Sequence, residues 1–330
     1  MEYTNLPGTS LKLSRISLGA MMFGGQVNEA DSLSIMDCAF EHGINFWDTA
    51  STYSDGESER MLGLGLKGRR DSVFVATKVY KQMGPSPMLD YGHSRRNITA
   101  ALDASLKRLN TDYVDLYYLH RPDYETCWDE TFDTLSNLVR KGKVHYIGLS
   151  NFAAWQIADI FALCEKRGYV APMMTQNVYN AITRGIEPEL VPFSKAHNLG
   201  MAVYNPLAGG LLTGKHQFDA PAENSRYSDT NNKVYNSHLY QNRYWTPQNF
   251  AAVEKLKKIA EKEGMTLLEF AYRWCIANKA VTTIIAGVSR LSQLQQNAII
   301  LDGPALSEEA LAACDEVWTD LAGSQFAYMR

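Results

Sequence analysis

Sulfur has little part in organising this chain. Its five cysteines, at positions 38, 127, 164, 275 and 314, are odd in number and scattered, and no Cys-x-x-Cys pair occurs in the 330 residues. Neither a disulfide framework nor a zinc site is indicated, and no metal is expected. A reducing cytoplasm is the expected compartment. Positive charge is also short. Lys and Arg number 32 against 36 Asp and Glu, a formal net charge of -4. No basic field exists to hold nucleic acid or an anionic membrane surface. No apolar run reaches the roughly 18 residues that span a bilayer. The opening MEYTNLPGTS has neither a basic nor an apolar signal region, so no secretory leader is expected. A glycine-rich dinucleotide fingerprint is missing too. The early glycines, in LGAMMFGGQ, do not spell G-x-G-x-x-G.

What is present is an alternation. Short β-rich runs stand at 15–21, 44–50, 72–79, 113–120, 144–151, 173–179, 200–207 and 282–289. Helical periods lie between them, as in EADSLSIMDCAFEHG, NITAALDASLKRLN and AAWQIADIFALCEKRG. Gly43, Gly142, Gly168 and Asn110 read as helix C-termini, and Asp31 or Ser32 and Asn97 as N-caps. Eight such units imply a parallel sheet that closes most simply into a (β/α)8 barrel, one domain over 1–330. The runner-up, an open doubly wound sheet, wants the missing fingerprint. YTNLPGTSLKLSR reads as a hairpin that would plug the N-terminal mouth. Two long segments, 83–95 and 216–249, would sit on the C-terminal face, where long loops are usually functional.

In a barrel, strand C-termini converge on the face where activity is built. The polar residues there are Asp48, Lys78, His120, Ser150, Asn151, Gln176, Asn180, Tyr204, Asn205, Ser289 and Arg290, with Tyr53 just after Asp48. Taken singly, each has an ordinary explanation. Asp48 and Lys78, on adjacent strands, make a structural ion pair; His120 is a hydrogen-bonded core histidine; Tyr53 anchors a loop. Together they make chemical sense. A free tyrosine has a pKa of about 10, and a nearby ammonium favours its phenolate. Asp48 would hold Lys78 charged, and His120 would orient a carbonyl oxygen towards the phenol. The set is a general acid for a carbonyl receiving a hydride.

The motifs FWDTASTYSDGESERMLG, VFVATKV, DYVDLYYLHRPD, KVHYIGLSNF, TQNVYN, VYNPLAGGLLTGK and IIAGVSRLSQLQQN resemble those of the aldo-keto reductases over essentially the whole chain. The LLTGK loop and the SRLSQLQQN ending are most similar to bacterial oxidoreductases related to potassium-channel β subunits. The resemblance implies a catalytic tetrad: Tyr53 as proton donor, Lys78 and Asp48 tuning it, and His120 placing the carbonyl. It implies NADPH held without a Rossmann fold, with NADH the secondary candidate. Ser150, Asn151 and Gln176 match groups on the nicotinamide carboxamide, and Tyr204 the aromatic beneath its ring. Asn205, Pro206, Leu207, Gly209 and Leu211 match the run along the pyrophosphate, and Lys215 and Arg226 the basic residues over the phosphates. Gly287, Ser289, Arg290, Gln293 and Asn297 match the adenosine end. Position 296 departs from the pattern: Gln296 stands where the family usually has Glu, which weakens the basis for preferring NADPH.

The expected activity is reversible reduction of an aldehyde or ketone, a sugar-like compound among the candidates, to the alcohol. Substrate-lining candidates are Met21, Phe23, Tyr80, Gln82, Arg121, Trp155, Tyr244 and Trp245, each equally readable as packing or surface. Two rivals stand beside this reading. One is an NADP(H)-binding regulatory subunit that docks to a membrane protein. The other is a barrel isomerase or aldolase with a Schiff base on Lys78. The sequence is compatible with a homo-oligomer and points to no nucleic-acid or membrane partner.

Overall fold

In the computed structural model, all eight β-rich runs form parallel strands of one closed barrel. The structure describes residues 1–80, 86, 88–223, 225–228 and 237–323. Gln82 lies outside them, as do parts of both long segments. Strands β1 (Tyr3–Asn5) and β2 (Lys12–Ser14) make the expected antiparallel hairpin. The barrel strands are β3 (Ile16–Gly19), β4 (Phe46–Asp48), β5 (Phe74–Val79), β6 (Val114–Leu119), β7 (Val144–Ser150), β8 (Met174–Val178), β9 (Gly200–Tyr204) and β10 (Thr283–Gly287), in that order around the ring. The helices are α1 (Glu29–Glu41), α2 (Glu57–Gly65), α3 (Arg95–Leu109), α4 (Trp128–Arg140), α5 (Ala154–Arg167), α6 (Leu190–Ala196), α7 (Ser237–Tyr244), α8 (Pro247–Lys262), α9 (Leu267–Ala277), α10 (Leu291–Ile299) and α11 (Glu308–Ala322).

The described chain separates into two compact units. The first, Met1–Asn177, Ile186–Tyr204 and Ala280–Ile299, contains the hairpin, the barrel and α1 to α6 and α10. The second, Val178–Gly185, Asn205–Lys279 and from Ile300 onward, contains a 3₁₀ segment (Ala208–Thr213) with α7, α8, α9 and α11. Among the described residues no helix is long and apolar enough to cross a membrane.

Side chains two residues apart on a strand share a face. Phe46, Phe74, Ala76, Leu116, Tyr118, Met174, Ala202 and Ile285 accordingly form one buried cluster inside the barrel. Leu6 and Leu13 of the hairpin join it, so the hairpin closes this core as expected. The same period carries polar groups to the far end: Asp48 follows Phe46, Lys78 follows Ala76, and His120 follows Tyr118. Ser150, Gln176 and Tyr204 come likewise from Gly148, Met174 and Ala202. A Cβ on Gly148 would run into the Tyr118 ring, so that glycine makes room for the phenol.

The helix starts differ from expectation. The N-cap of α1 is Asn28, whose side chain accepts from the Asp31 N–H at 2.9 Å. The N-cap of α3 is Ser94, accepting from the Asn97 N–H at 3.3 Å. Asp31 and Asn97 thus receive the caps rather than supplying them, because a cap binds the N–H three residues on. The expected C-termini hold, with Gly43, Asn110, Gly142 and Gly168 all at positive φ. Helix α7 lies inside a segment whose polar composition reads as loop.

Candidate active site

Strand β4 ends at Asp48, and the chain then turns sharply. Tyr53 opens a 3₁₀ segment in which Ser54 (φ 48°), Asp55 (φ 52°) and Gly56 (φ 93°) are successively left-handed. Such backbone is uncommon for side chains other than glycine and clusters at functional sites. Lys78 reaches across from β5. Its Nζ contacts Asp48 Oδ1 and donates to the Thr49 carbonyl at 2.7 Å. Both members of the pair are buried.

Burial pushes the Asp48 carboxyl above its usual range, opposed by Lys78 and by the Gln176 amide. Burial likewise pulls the Lys78 amine below its usual range, opposed by Asp48 and, further off, Glu59. Lys78 Nζ lies 5.0 Å from the centroid of the Tyr53 ring. The Tyr53 and His120 rings meet edge to face at 5.7 Å. His120 stands just past β6, whose register is continued by its N–H donating to the Val79 carbonyl at 2.9 Å. Burial, with Lys78 and Arg121 adding repulsion, lowers its pKa to about 3. It is therefore a neutral imidazole carrying one N–H donor. The structure brings all four tetrad candidates together.

The amide groups on neighbouring strands join the same network. Gln176 Nε2 donates to Asp48 Oδ2 at 2.9 Å. Asn151, left-handed at φ 64°, donates from Nδ2 to the His120 carbonyl at 3.0 Å and to Ser150 Oγ at 3.0 Å. Tyr204 OH donates to Asn151 Oδ1 at 2.9 Å, which fixes its ring beside these amides. At the end of β10 comes exposed Gly287; Ser289 then donates from its backbone N–H to Gln293 Oε1 at 2.8 Å. Arg290 and Gln296 are exposed, whereas Asn297 is buried in α10.

In the second unit, Asn205 (φ 62°), Ala208 (φ 47°), Gly209 (φ 70°) and Gly210 (φ 107°) fold the run into a tight coil. Asn205 Oδ1 accepts from the Gly209 N–H at 2.6 Å, and its Nδ2 donates to Tyr244 OH at 2.8 Å. Pro206 and Leu211 are buried and Leu207 is half-buried. Lys215 is exposed, and Arg226 donates to Tyr240 OH at 3.1 Å. Tyr244 is buried and supports Asn205. Trp245 packs on Tyr227, 4.8 Å between centroids, and donates to the Phe218 carbonyl at 2.9 Å.

Of the substrate candidates in the first unit, Phe23 is fully buried in the core and Met21 is half-buried after β3. Trp155 is 60% exposed at the start of α5. Tyr80 and Arg121 lie against each other, the guanidinium 4.1 Å from the ring centroid. Three neighbours escaped the sequence reading. They are the Thr49 carbonyl that receives Lys78, buried Tyr118 with Lys78 5.8 Å from its ring centroid, and Tyr91, which binds Arg121. Tyr118 shares the inward period of His120, a signal that was available. Tyr91 sits on an aperiodic loop, where none was.

The barrel end thus gathers a tyrosine, a histidine and a buried Lys–Asp pair. Residues 15–319 match the model of the Aldo/keto reductase family, and the chain belongs to that family. Among similar proteins, a "Probable voltage-gated potassium channel subunit beta" of Arabidopsis thaliana is 36% identical over 307 residues, 92% of each chain. An "Aflatoxin B1 aldehyde reductase member 2" of Rattus norvegicus is 34% identical over 95% of this chain and 87% of its own. An "Uncharacterized oxidoreductase YrpG" of Bacillus subtilis (strain 168) is 34% identical over 98% of both.

Proposed function

We propose that this chain reduces an aldehyde or ketone to the alcohol with NADPH, reversibly, and that Tyr53 moves the proton. The observation that carries the reading is the placing of Tyr53 between a buried ammonium, 5.0 Å from its ring centroid, and the His120 imidazole. His120, neutral, donates its N–H to the carbonyl oxygen and holds it near the phenol. Tyr53 gives that oxygen its proton. Lys78 stabilises the phenolate left behind, and Asp48 holds Lys78 in place. In the alcohol-oxidising direction Tyr53 takes the proton back.

The residues present fit a nicotinamide nucleotide. Ser150, Asn151 and Gln176 combine donors and acceptors suited to a carboxamide. The Tyr204 ring, fixed by Asn151, offers a flat face to a ring. Within the second unit, backbone left-handed at Asn205, Ala208, Gly209 and Gly210 would admit close approach of a phosphate group. Arg290, exposed beside α10, suits a 2′-phosphate and favours NADPH over NADH. When bound, NADPH supplies the hydride.

A Schiff-base role for Lys78 is disfavoured by its enclosure, since Asp48 and the Thr49 carbonyl hold the amine. The regulatory-subunit reading draws support from the plant relative's name alone. Loss of reduced-nicotinamide absorbance with a panel of aldehydes, ketones and sugars tests the proposal. Turnover supports the reductase; tight NADPH binding with no turnover across the panel would move weight to the regulatory subunit.

A further inference from the structure

Beyond the tetrad, the barrel end presents a second cation, Arg121, one residue past His120. The local chain is built to hold it. Tyr80 lies two residues beyond Lys78, and its ring supports the guanidinium at 4.1 Å. Arg121 Nη2 donates to Tyr91 OH at 3.1 Å. The two phenol rings meet edge to face at 5.0 Å. Tyr91 is fixed in turn, because the Gly92 N–H donates to the Tyr80 carbonyl at 2.9 Å and Gly92 is left-handed at φ 71°.

Asp123, two residues further on, does not neutralise this cation. Its carboxylate accepts from the His93 N–H at 2.8 Å, the Glu125 N–H at 3.0 Å and the Thr126 hydroxyl at 2.7 Å. Burial opposes the Arg121 charge and the Tyr80 and Tyr91 side chains favour it; among the described residues no carboxylate acts on it. Lys78 is committed to Asp48. The guanidinium is exposed and oriented one residue past His120, and among the described residues it has no counter-ion. Planar guanidinium N–H groups match an oxyanion bidentately.

We propose that Arg121, set between the Tyr80 ring and the Tyr91 hydroxyl, binds an oxyanion on the substrate, so that the preferred carbonyl compound is an anionic aldehyde or ketone. The proposal rests on the reductase reading and narrows it to a substrate class.

The test is kcat/KM with NADPH for a short homologous series of aldehydes ending in a carboxylate, each beside its methyl ester. Wild type, Arg121→Met and Arg121→Lys are compared at low salt. The wild type is expected to prefer the best acid over its ester at least tenfold, about 1.4 kcal/mol. Arg121→Met should bring that ratio to within about twofold, and Arg121→Lys should keep part of it, because the preference follows charge. Equal ratios in wild type and Arg121→Met, with aldehydes still reduced, would overturn the anion site and leave the reductase standing. If the wild type reduces neither this series nor the wider panel of aldehydes, ketones and sugars, the reductase reading falls, and succinate titrated into the NADP+ complex decides the anion site by itself. Binding lost in Arg121→Met supports the site; binding unchanged or absent in wild type overturns it.

Discussion

Replacing Lys78 by methionine removes a buried ammonium and leaves the buried Asp48 carboxylate behind. Breaking such a pair from one side typically costs about 3–5 kcal/mol. Gln176 still donates to Asp48 at 2.9 Å. A retained hydrogen bond to a charged group contributes about 1.5–3 kcal/mol, which holds the expected loss near the lower end, about 3 kcal/mol at pH 8. The double variant Asp48→Asn/Lys78→Met leaves no unpaired charge and should recover about 2 kcal/mol of this. The sign of the pH dependence follows from burial. Burial already pushes the Asp48 carboxyl up, and in the single variant Lys78 no longer opposes it. A carboxyl raised in the folded state contributes stability below its ordinary value of about 4 and loses it as pH climbs through the raised value. The single variant's deficit should therefore be smaller at pH 5 than at pH 8. Urea unfolding followed by tryptophan fluorescence, at both pH values, measures all three proteins. A double variant as unstable as the single at pH 8, or a deficit that ignores pH, would refute the reasoning.

Two further outcomes concern packing, one within each unit. His93 is buried, and neither ring nitrogen has a partner among the described residues; burial lowers its pKa to about 4. Its stabilising contribution is complete above about 6.5 and is lost as pH falls through about 4, on the order of 3 kcal/mol when protonated. His93→Phe keeps a ring against Tyr80, 5.5 Å away, and should flatten the acid limb of melting temperature against pH; an acid limb parallel to wild type contradicts this. Gly209 has φ 70°, and a Cβ there would lie 2.8 Å from the Tyr227 hydroxyl and 2.9 Å from Tyr240. Gly209→Ala should lose about 1–3 kcal/mol of stability and weaken NADPH binding, which calorimetric titration would show; unchanged stability and affinity would count against the coil as a cofactor cradle.

How far the site was legible depended on periodicity. Asp48, Lys78 and His120 stand where the inward two-residue rhythm of β4, β5 and β6 meets the barrel end, so their convergence follows from the alternation itself. Tyr53 was legible from its place just after Asp48 and from the motif FWDTASTYSDGESERMLG, whereas the left-handed turn at Ser54, Asp55 and Gly56 was not. Contacts between strands distant in sequence were not. That Gln176 donates to Asp48 across 128 positions depends on barrel closure and rotamer rather than on either local pattern. The helix N-caps were misplaced by three residues, because capping donors and acceptors in a first turn are both polar and look alike. The Tyr80–Tyr91–Arg121 support was hidden because Tyr91 lies on a loop whose course is set by Gly92 and Asp123.

The central claim is that Tyr53 carries the proton. The most direct measurement is NADPH oxidation by Tyr53→Phe, with NADPH affinity measured separately by fluorescence titration. The ring and its edge-to-face contact with His120 remain, and only the hydroxyl is removed. Turnover is expected to fall about 10²- to 10⁴-fold with affinity within about twofold of wild type. Full turnover in the variant would contradict the account.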